Sequence, residues 1–170
     1  LLRCSVVVWQ FKNIDELRAK YNEVITVLEN SYDGEPNTSD LQRLKGMIRE
    51  FEEELVWAYN GVQVDHVHHL HLGFYQDKGI TKGVNMERDV TPILNQFREI
   101  QPDIISVTLD PEGSGPDTHY KVLQATAAAV AEWSKEKDLS KLRIYGYRNV
   151  WFKFHPAEAN MYVPVSLNAL

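Results

Sequence analysis

The chain has 170 residues, of which 44% are hydrophobic and 25% charged, and a formal net charge of -6. This composition is ordinary for a globular domain, and the absence of a lysine or arginine block argues against a nucleic-acid or anionic-membrane surface. The single cysteine, Cys4, excludes an internal disulfide and favours a cytoplasmic location. No apolar run approaches the roughly 20 residues that span a bilayer, and the first residues do not form a signal-peptide pattern.

The first third of the chain predicts a strand followed by two helices. The β-branched run at residues 5–9 predicts a short buried strand. Apolar residues at helical spacing predict helices over residues 14–28 and 41–59. Ser39 or Asp40 is expected to cap the second of these helices.

The remaining elements alternate between strand and helix. Strands are predicted at residues 64–75, 104–109, 142–147 and 161–165, and helices at residues 86–100 and 120–133. Strands that alternate with helices indicate βαβ units in an α/β fold, with a mainly parallel sheet and helices on both faces. We therefore expect one α/β domain over residues 1–170, with strands 5–9, 67–72, 104–109 and 142–147 in one sheet.

A loop rich in glycine and proline, residues 110–120, carries the strongest functional signal. It leaves the carboxyl end of a predicted strand, which is where open α/β sheets bind their ligands. Asp110 and Asp117 supply carboxylates and His119 an imidazole, so the loop has groups that bind a metal or move a proton. Alternatively, Asp117 simply caps the next helix. The chain shows no dinucleotide fingerprint and no phosphate loop.

Two further polar groups lie upstream of this loop. The histidine-rich run at residues 66–71 resembles a metal tract, but on a strand its imidazoles alternate between faces and do not all meet one metal. Within it, His71 is expected to point toward a cleft. Arg49 and Glu52 share a helix face, either as a site pair or as a solvated surface pair.

An aromatic segment near the end of the chain suggests a sugar site. Tyr147, Arg148 and Trp151 combine rings, which cover the C–H faces of sugars, with a cation. The alternative is an edge strand whose aromatic residues pack against their neighbours.

Four segments, in their order and spacing, resemble a known family. They are Lys45–Glu52 with Asn60-Gly61-Val62, His71–Tyr75, Gln101–Ile105 with Asp110-Pro111 and Pro116–His119, and Tyr147–Trp151 with Met161–Val165. Together they resemble the zinc-dependent N-acetylglucosamine-type deacetylase superfamily (PIG-L/LmbE-like), especially the form fused behind a glucosamine-6-phosphate deaminase-like domain. The resemblance covers nearly all of the chain from about Ser5 onward.

The resemblance implies a Rossmann-like three-layer fold and hydrolysis of an N-acyl group from an amino sugar. It assigns His119 to zinc and Arg49 to the substrate. Together with the loop and the aromatic segment, it makes Asp110 and Asp117 the catalytic candidates. The substrate-binding candidates are Arg49, His71, Tyr147, Arg148 and Trp151. The expected partners are an amino sugar, a fused or associated deaminase-like domain and a second copy of the chain.

The departures from the family pattern define the alternatives. The chain lacks the family's His-Pro-Asp-Asp zinc motif, and Pro116 stands where the family often has a second histidine. A catalytic zinc needs about three protein ligands, and the resemblance supplies one. We therefore expect a fragment of a larger deacetylase-like domain that binds zinc weakly and is incomplete for catalysis. The alternatives are a non-catalytic sugar-binding or regulatory domain and a protein-interaction domain.

Overall fold

The computed structural model describes residues 1–73, 83–110, 117–148 and 153–164. The chain forms two compact units, Leu1–His69 and Leu70–Leu170. The single domain expected over residues 1–170 stays a prediction. Among the helices in the described ranges, none combines the length and the apolarity that a membrane crossing requires.

The first unit is helical. Its helices are α1 (Leu2–Trp9), α2 (Ile14–Asn30) and α3 (Ser39–Tyr59), followed by a short 3-10 turn at Val64–His66. The side chain of Asn13 accepts the backbone N–H groups of Asp15 and Glu16 at the start of α2. Thr38, not the expected Ser39 or Asp40, caps α3 through a bond from the Leu41 N–H. The two helices predicted here are confirmed.

The strand predicted at residues 5–9 is wrong, because these residues lie in α1. Their β-branched run favours extended structure only locally, and packing overrides such a preference. Cys4, Ser5 and Val8 form one buried helical face. The Ser5 hydroxyl lies 2.6 Å from the hydroxyl of Tyr21, which ties α1 to α2.

The second unit combines helices with a small parallel sheet. A π-helical turn, Met86–Val90, leads into α4 (Thr91–Ile100). Strand β1 (Ile104–Thr108), helix α5 (Asp117–Trp133) and strand β2 (Arg143–Tyr147) follow. The strands pair in parallel, with Ile104 opposite Arg143 and Thr108 opposite Tyr147. The predicted βαβ connection is confirmed for this segment, and the chain is of mixed α/β structure.

The core of the second unit lies between α4, α5 and one face of β1. Ile105 belongs to it, and Val107 on the same face of β1 is also buried, whereas Ile104 on the opposite face is 54% exposed. Phe97 of α4 and Trp133 of α5 pack with ring centroids 5.5 Å apart. The other buried members of this core are Leu72, Val90, Ile93, Leu94, Ala125 and Ala129.

Two more predicted strands are absent from the residues that the structure describes. None of residues 64–73 is in a strand, and the left-handed backbone of His71, φ 48°, interrupts any extended run. Residues 161–164 are also not in a strand. Met161, Tyr162 and Val163 are each more than half exposed. Residues 74, 75 and 165 of these predicted strands lie outside the described ranges.

Gly146 of β2 allows Leu109 to pack across the strand pair. A Cβ at position 146 would lie 2.7 Å from Cδ2 and 2.8 Å from Cβ of Leu109. Because Leu109 Cβ is fixed to the backbone, the strands would have to shift. We expect Gly146→Ala to lower the free energy of unfolding of this unit by about 1–3 kcal/mol, measured by urea denaturation.

The control for this prediction is Gly46→Ala in α3. A Cβ there meets nothing within 4 Å, so the substitution adds helix propensity without a clash. It is expected to stabilise α3 by about 0.5–1 kcal/mol. Equal effects of the two substitutions would contradict the packing assigned to Leu109.

Candidate functional site

The β1–α5–β2 connection gathers polar residues at one edge of the sheet. Because β1 and β2 are parallel, α5 must run back from the carboxyl edge of the sheet to its amino edge. Two contacts mark the amino edge. Lys137, after α5, donates to the side-chain oxygen of Gln101, before β1, at 2.6 Å, and the Arg143 N–H donates to the Asp103 carbonyl. The start of α5 therefore belongs to the carboxyl edge.

Asp110 and Arg148 leave this carboxyl edge from adjacent strands. The Leu109 N–H donates to the Tyr147 carbonyl at 2.8 Å, which extends the strand pairing by one residue beyond β1. Asp110 then follows β1 and is only 6% exposed, while Arg148 follows β2 and is partly buried. The Arg148 guanidinium lies over the ring of Phe154, 5.1 Å from its centroid. A carboxylate and a guanidinium thus follow the carboxyl ends of the two strands.

Asp117 opens α5 with its side chain 62% exposed, so its carboxylate is accessible to a ligand. One of its oxygens, Oδ2, lies 2.7 Å from the Nζ atom of Lys121, one turn further along the helix. Asp117 also lies in the first turn of α5, where a carboxylate is favoured by the helix dipole. Asp117 can therefore stabilise the start of α5, as the alternative from the sequence has it, and still contact a ligand.

Sequence reasoning missed Lys121. It is only 7% exposed, although lysine is rarely buried unless it is paired. It begins the stripe of every fourth residue that α5 buries, which continues through Ala125, Ala129 and Trp133. The spacing of Asp117 and Lys121 could have indicated their pairing, but the burial depends on what packs against α5.

His119 is half-buried in the first turn of α5. The resemblance assigns it to zinc, so its neighbourhood must offer further ligands. Within the described ranges, no group of three histidine, cysteine, aspartate or glutamate side chains is placed to hold a metal ion. These residues therefore do not fit a catalytic zinc centre, for which about three protein ligands are needed.

The remaining substrate-binding candidates belong to different elements of the chain. Tyr147 is 50% exposed at the end of β2, on the same edge as Arg148. Trp151 lies outside the described residues. His71 belongs to the second unit and is exposed in a left-handed conformation that residues with a Cβ adopt rarely. Arg49 is exposed on α3 of the first unit, and no ion pair links it to Glu52 in the part of the chain that the structure describes.

A second polar group, the Asp89 network, includes Gly73, two residues after His71, and was also missed. The fully buried Asp89 accepts the Gly73 N–H at 3.1 Å and the Asn85 N–H at 2.9 Å. Arg88 adds two bonds, from Nε and Nη2, at 2.9 and 2.8 Å. Arg88 holds the pKa of Asp89 below its ordinary value, and the two backbone donors act in the same direction against the effect of burial. This carboxylate therefore joins residue 73 to residues 85–88.

A small cavity in the first unit is a weaker candidate. It measures about 150 Å³ and is lined by α2 and the start of α3. Lys20 bonds there to Asp40 at 2.8 Å and to Glu23 at 3.0 Å; its pairing with Asp40 raises the pKa of Lys20 and lowers that of Asp40. The volume is well below the roughly 300–1,000 Å³ of small-molecule sites. The carboxyl edge is therefore the stronger candidate.

Comparison with known proteins gives one relative. No protein-family model matches the chain, and no solved structure matches it. Over 163 residues, 92% of the chain, the sequence is 35% identical to a glucosamine-6-phosphate deaminase-like protein of Bacteroides thetaiotaomicron. The chain spans 24% of the length of this curated relative. It is thus similar to one part of a much longer protein that is named for its likeness to an amino-sugar enzyme.

Proposed function

We propose that this chain binds an amino sugar at the carboxyl edge of the β1–α5–β2 unit, as part of a glucosamine-6-phosphate deaminase-like protein. The observation that carries the proposal is the meeting of Asp110, Arg148 and the start of α5 at one edge of a parallel sheet, where α/β proteins bind their ligands. The name of the relative supports the ligand class.

The charges at this edge suit a sugar with a nitrogen substituent. The exposed carboxylate of Asp117 can accept hydrogen bonds from sugar hydroxyls or from the nitrogen at position 2. Arg148 can donate to ring or hydroxyl oxygens, and the half-exposed ring of Tyr147 offers a face for sugar C–H groups. These groups recognise a sugar without needing a metal.

The second candidate is the N-acyl hydrolysis implied by the resemblance, with a Rossmann-like three-layer fold. It is favoured by the position of His119, which lies in the first turn of α5 at the carboxyl edge. Because the described residues do not assemble a zinc centre, this chain alone is expected to bind zinc weakly and to release no acetate from N-acetylglucosamine derivatives. Measurable acetate release would instead favour the hydrolase.

The test of the binding proposal is titration of the chain with N-acetylglucosamine and glucosamine, followed by NMR. We expect millimolar affinity, with the largest shifts at the start of α5. Asp117→Asn should weaken the binding of glucosamine about fivefold or more, because a charge-assisted hydrogen bond is lost.

The matched control is Asp103→Asn, the same change at an exposed aspartate on the amino edge of the sheet. It should leave both affinities unchanged. If neither sugar binds, or if Asp103→Asn and Asp117→Asn weaken binding equally, the carboxyl edge is not the sugar site.

A further inference from the structure

Resting on the proposed function, we propose that Lys121 determines which amino sugars the carboxyl edge accepts, because its charge offsets the exposed carboxylate of Asp117. The effect is a preference for sugars whose nitrogen is acylated, and hence neutral, over sugars with a free, protonated amine. Lys121 acts through Asp117 and is therefore a residue that determines specificity without touching the sugar.

The two members of the Asp117–Lys121 pair differ in exposure. The Asp117 side chain is 62% exposed and reaches solvent, whereas that of Lys121 is 9% exposed and lies behind it. Their charged atoms are 2.7 Å apart. A ligand at the edge therefore meets the carboxylate, and the field that it experiences includes the ammonium group behind it.

Acidic and basic side chains balance at this edge. Of the aspartate, lysine and arginine residues that the structure describes there, Asp110 and Asp117 are acidic, and Lys121 and Arg148 are basic. These four charges cancel. Without Lys121 the same edge would carry a net negative charge and would attract a cationic ammonium group more strongly.

The position of the lysine on the helix also points toward the ligand. Lys121 begins the buried stripe of α5, where an apolar residue would pack with less desolvation. An ion pair with one buried and one exposed member is weak support for stability alone. Its charge acts on Asp117, which is the exposed member of the pair, and a role toward the ligand follows from that asymmetry.

The experiment measures the ratio of the dissociation constants for N-acetylglucosamine and glucosamine at one fixed pH of about 6.5. Lys121→Met keeps the length of the side chain and removes the charge. We expect this variant to shift the ratio about five- to tenfold toward glucosamine, as the loss of one charge a few ångströms behind the ligand would produce. Lys121→Arg keeps the charge and should retain the wild-type ratio within about twofold.

Asp117→Asn provides the opposite change at the exposed member of the pair and should shift the ratio toward N-acetylglucosamine. If Lys121→Met loses its helical circular dichroism, Lys121→Gln, which also removes the charge, takes its place in the measurement of the ratio. A Lys121→Met ratio equal to that of the wild type, in a folded protein that binds both sugars, overturns this inference but leaves the proposed function standing. Failure of the wild-type chain to bind either sugar overturns both.

Discussion

Replacement of Asp89 by alanine is expected to lower the free energy of unfolding of the second unit by about 3 kcal/mol. The carboxylate is fully buried and accepts four hydrogen bonds, two from backbone N–H groups and two from Arg88. Its loss leaves the donors of Gly73 and Asn85 without this acceptor and separates Arg88 from its counterion. The Arg88 side chain is 30% exposed and can turn toward water. The expected loss of unfolding free energy is therefore at the low end of the values that result from breaking a buried ion pair.

Urea denaturation, combined with hydrogen exchange of peptides from α4 and α5, measures this effect in the second unit specifically. Glu87→Ala is the control, because Glu87 is an exposed acid in the same π-helical turn and should change stability by less than about 0.5 kcal/mol. Gly73→Ala tests the packing of the Arg88 side chain against residue 73, since a Cβ at that position would lie 1.9 Å from Cδ of Arg88. If Asp89→Ala is as harmless as Glu87→Ala, the Asp89 network does not stabilise the unit.

The contribution of Asp89 should also depend on pH in a defined direction. Arg88 lowers the pKa of Asp89 in the folded state, so the folded protein holds this proton less readily than the unfolded chain. The stabilisation is therefore complete above the ordinary aspartate pKa of roughly 4 and is lost as the pH falls through the lower pKa of the folded state. The difference in stability between the wild type and Asp89→Asn should shrink accordingly in acid.

The Asp89 network shows why some of the structure could not be predicted from the sequence. In a regular α-helix, adjacent residues do not face each other, so the sequence Arg88-Asp89 gives no reason to expect an ion pair. The turn Met86–Val90 is π-helical, and there the guanidinium reaches the neighbouring carboxylate. Gly73, which has no Cβ, leaves the space that Arg88 occupies.

The helices that were predicted correctly are those with long periodic patterns. α2, α3 and α5 each show enough apolar residues at one spacing to identify a helix, whereas β1 and β2 are short and were predicted together with their alternation with helices. The short run at residues 5–9 fits a strand and a buried helix face equally well, and the packing of Cys4, Ser5 and Val8 made it helical. Short apolar runs are ambiguous for this reason.

The sequence led to some of the residues at this edge of the sheet but not to all of them. The rule that ligands bind beyond the carboxyl ends of parallel strands led to Asp110 and Asp117, which lie at one edge, and the binding of a ligand there stays a prediction. Lys121 was overlooked because a lysine on a helix is ordinarily solvated, and its burial follows from the packing of α5. The convergence of Arg49 with His119 stays a prediction, since the two residues lie in different units.

Replacement of Trp133 by alanine is expected to have the largest effect of any single substitution in the second unit, about 3–5 kcal/mol. Trp133 is 2% exposed and is the largest fully buried side chain in the residues that the structure describes. Its ring packs against Phe97 at 5.5 Å, and Lys137 lies over it at 5.3 Å. Its removal would leave a cavity between α4 and α5 that two helices anchored to the same strand cannot close.

Since a domain of this size is stable by only about 5–15 kcal/mol, the Trp133→Ala protein should lose most of the exchange protection of α5 and β1. Trp133→Phe is the matched variant, because it keeps an aromatic ring beside Phe97 and should cost only about 1–2 kcal/mol. A third comparison, Trp57→Ala, removes a tryptophan that is 45% exposed on α3 and should leave the protection of α5 unchanged. Equal losses in Trp133→Ala and Trp57→Ala would contradict the core described for the second unit. A selective loss in Trp133→Ala would show that this core holds α5, and with it Asp117 and Lys121, against the sheet.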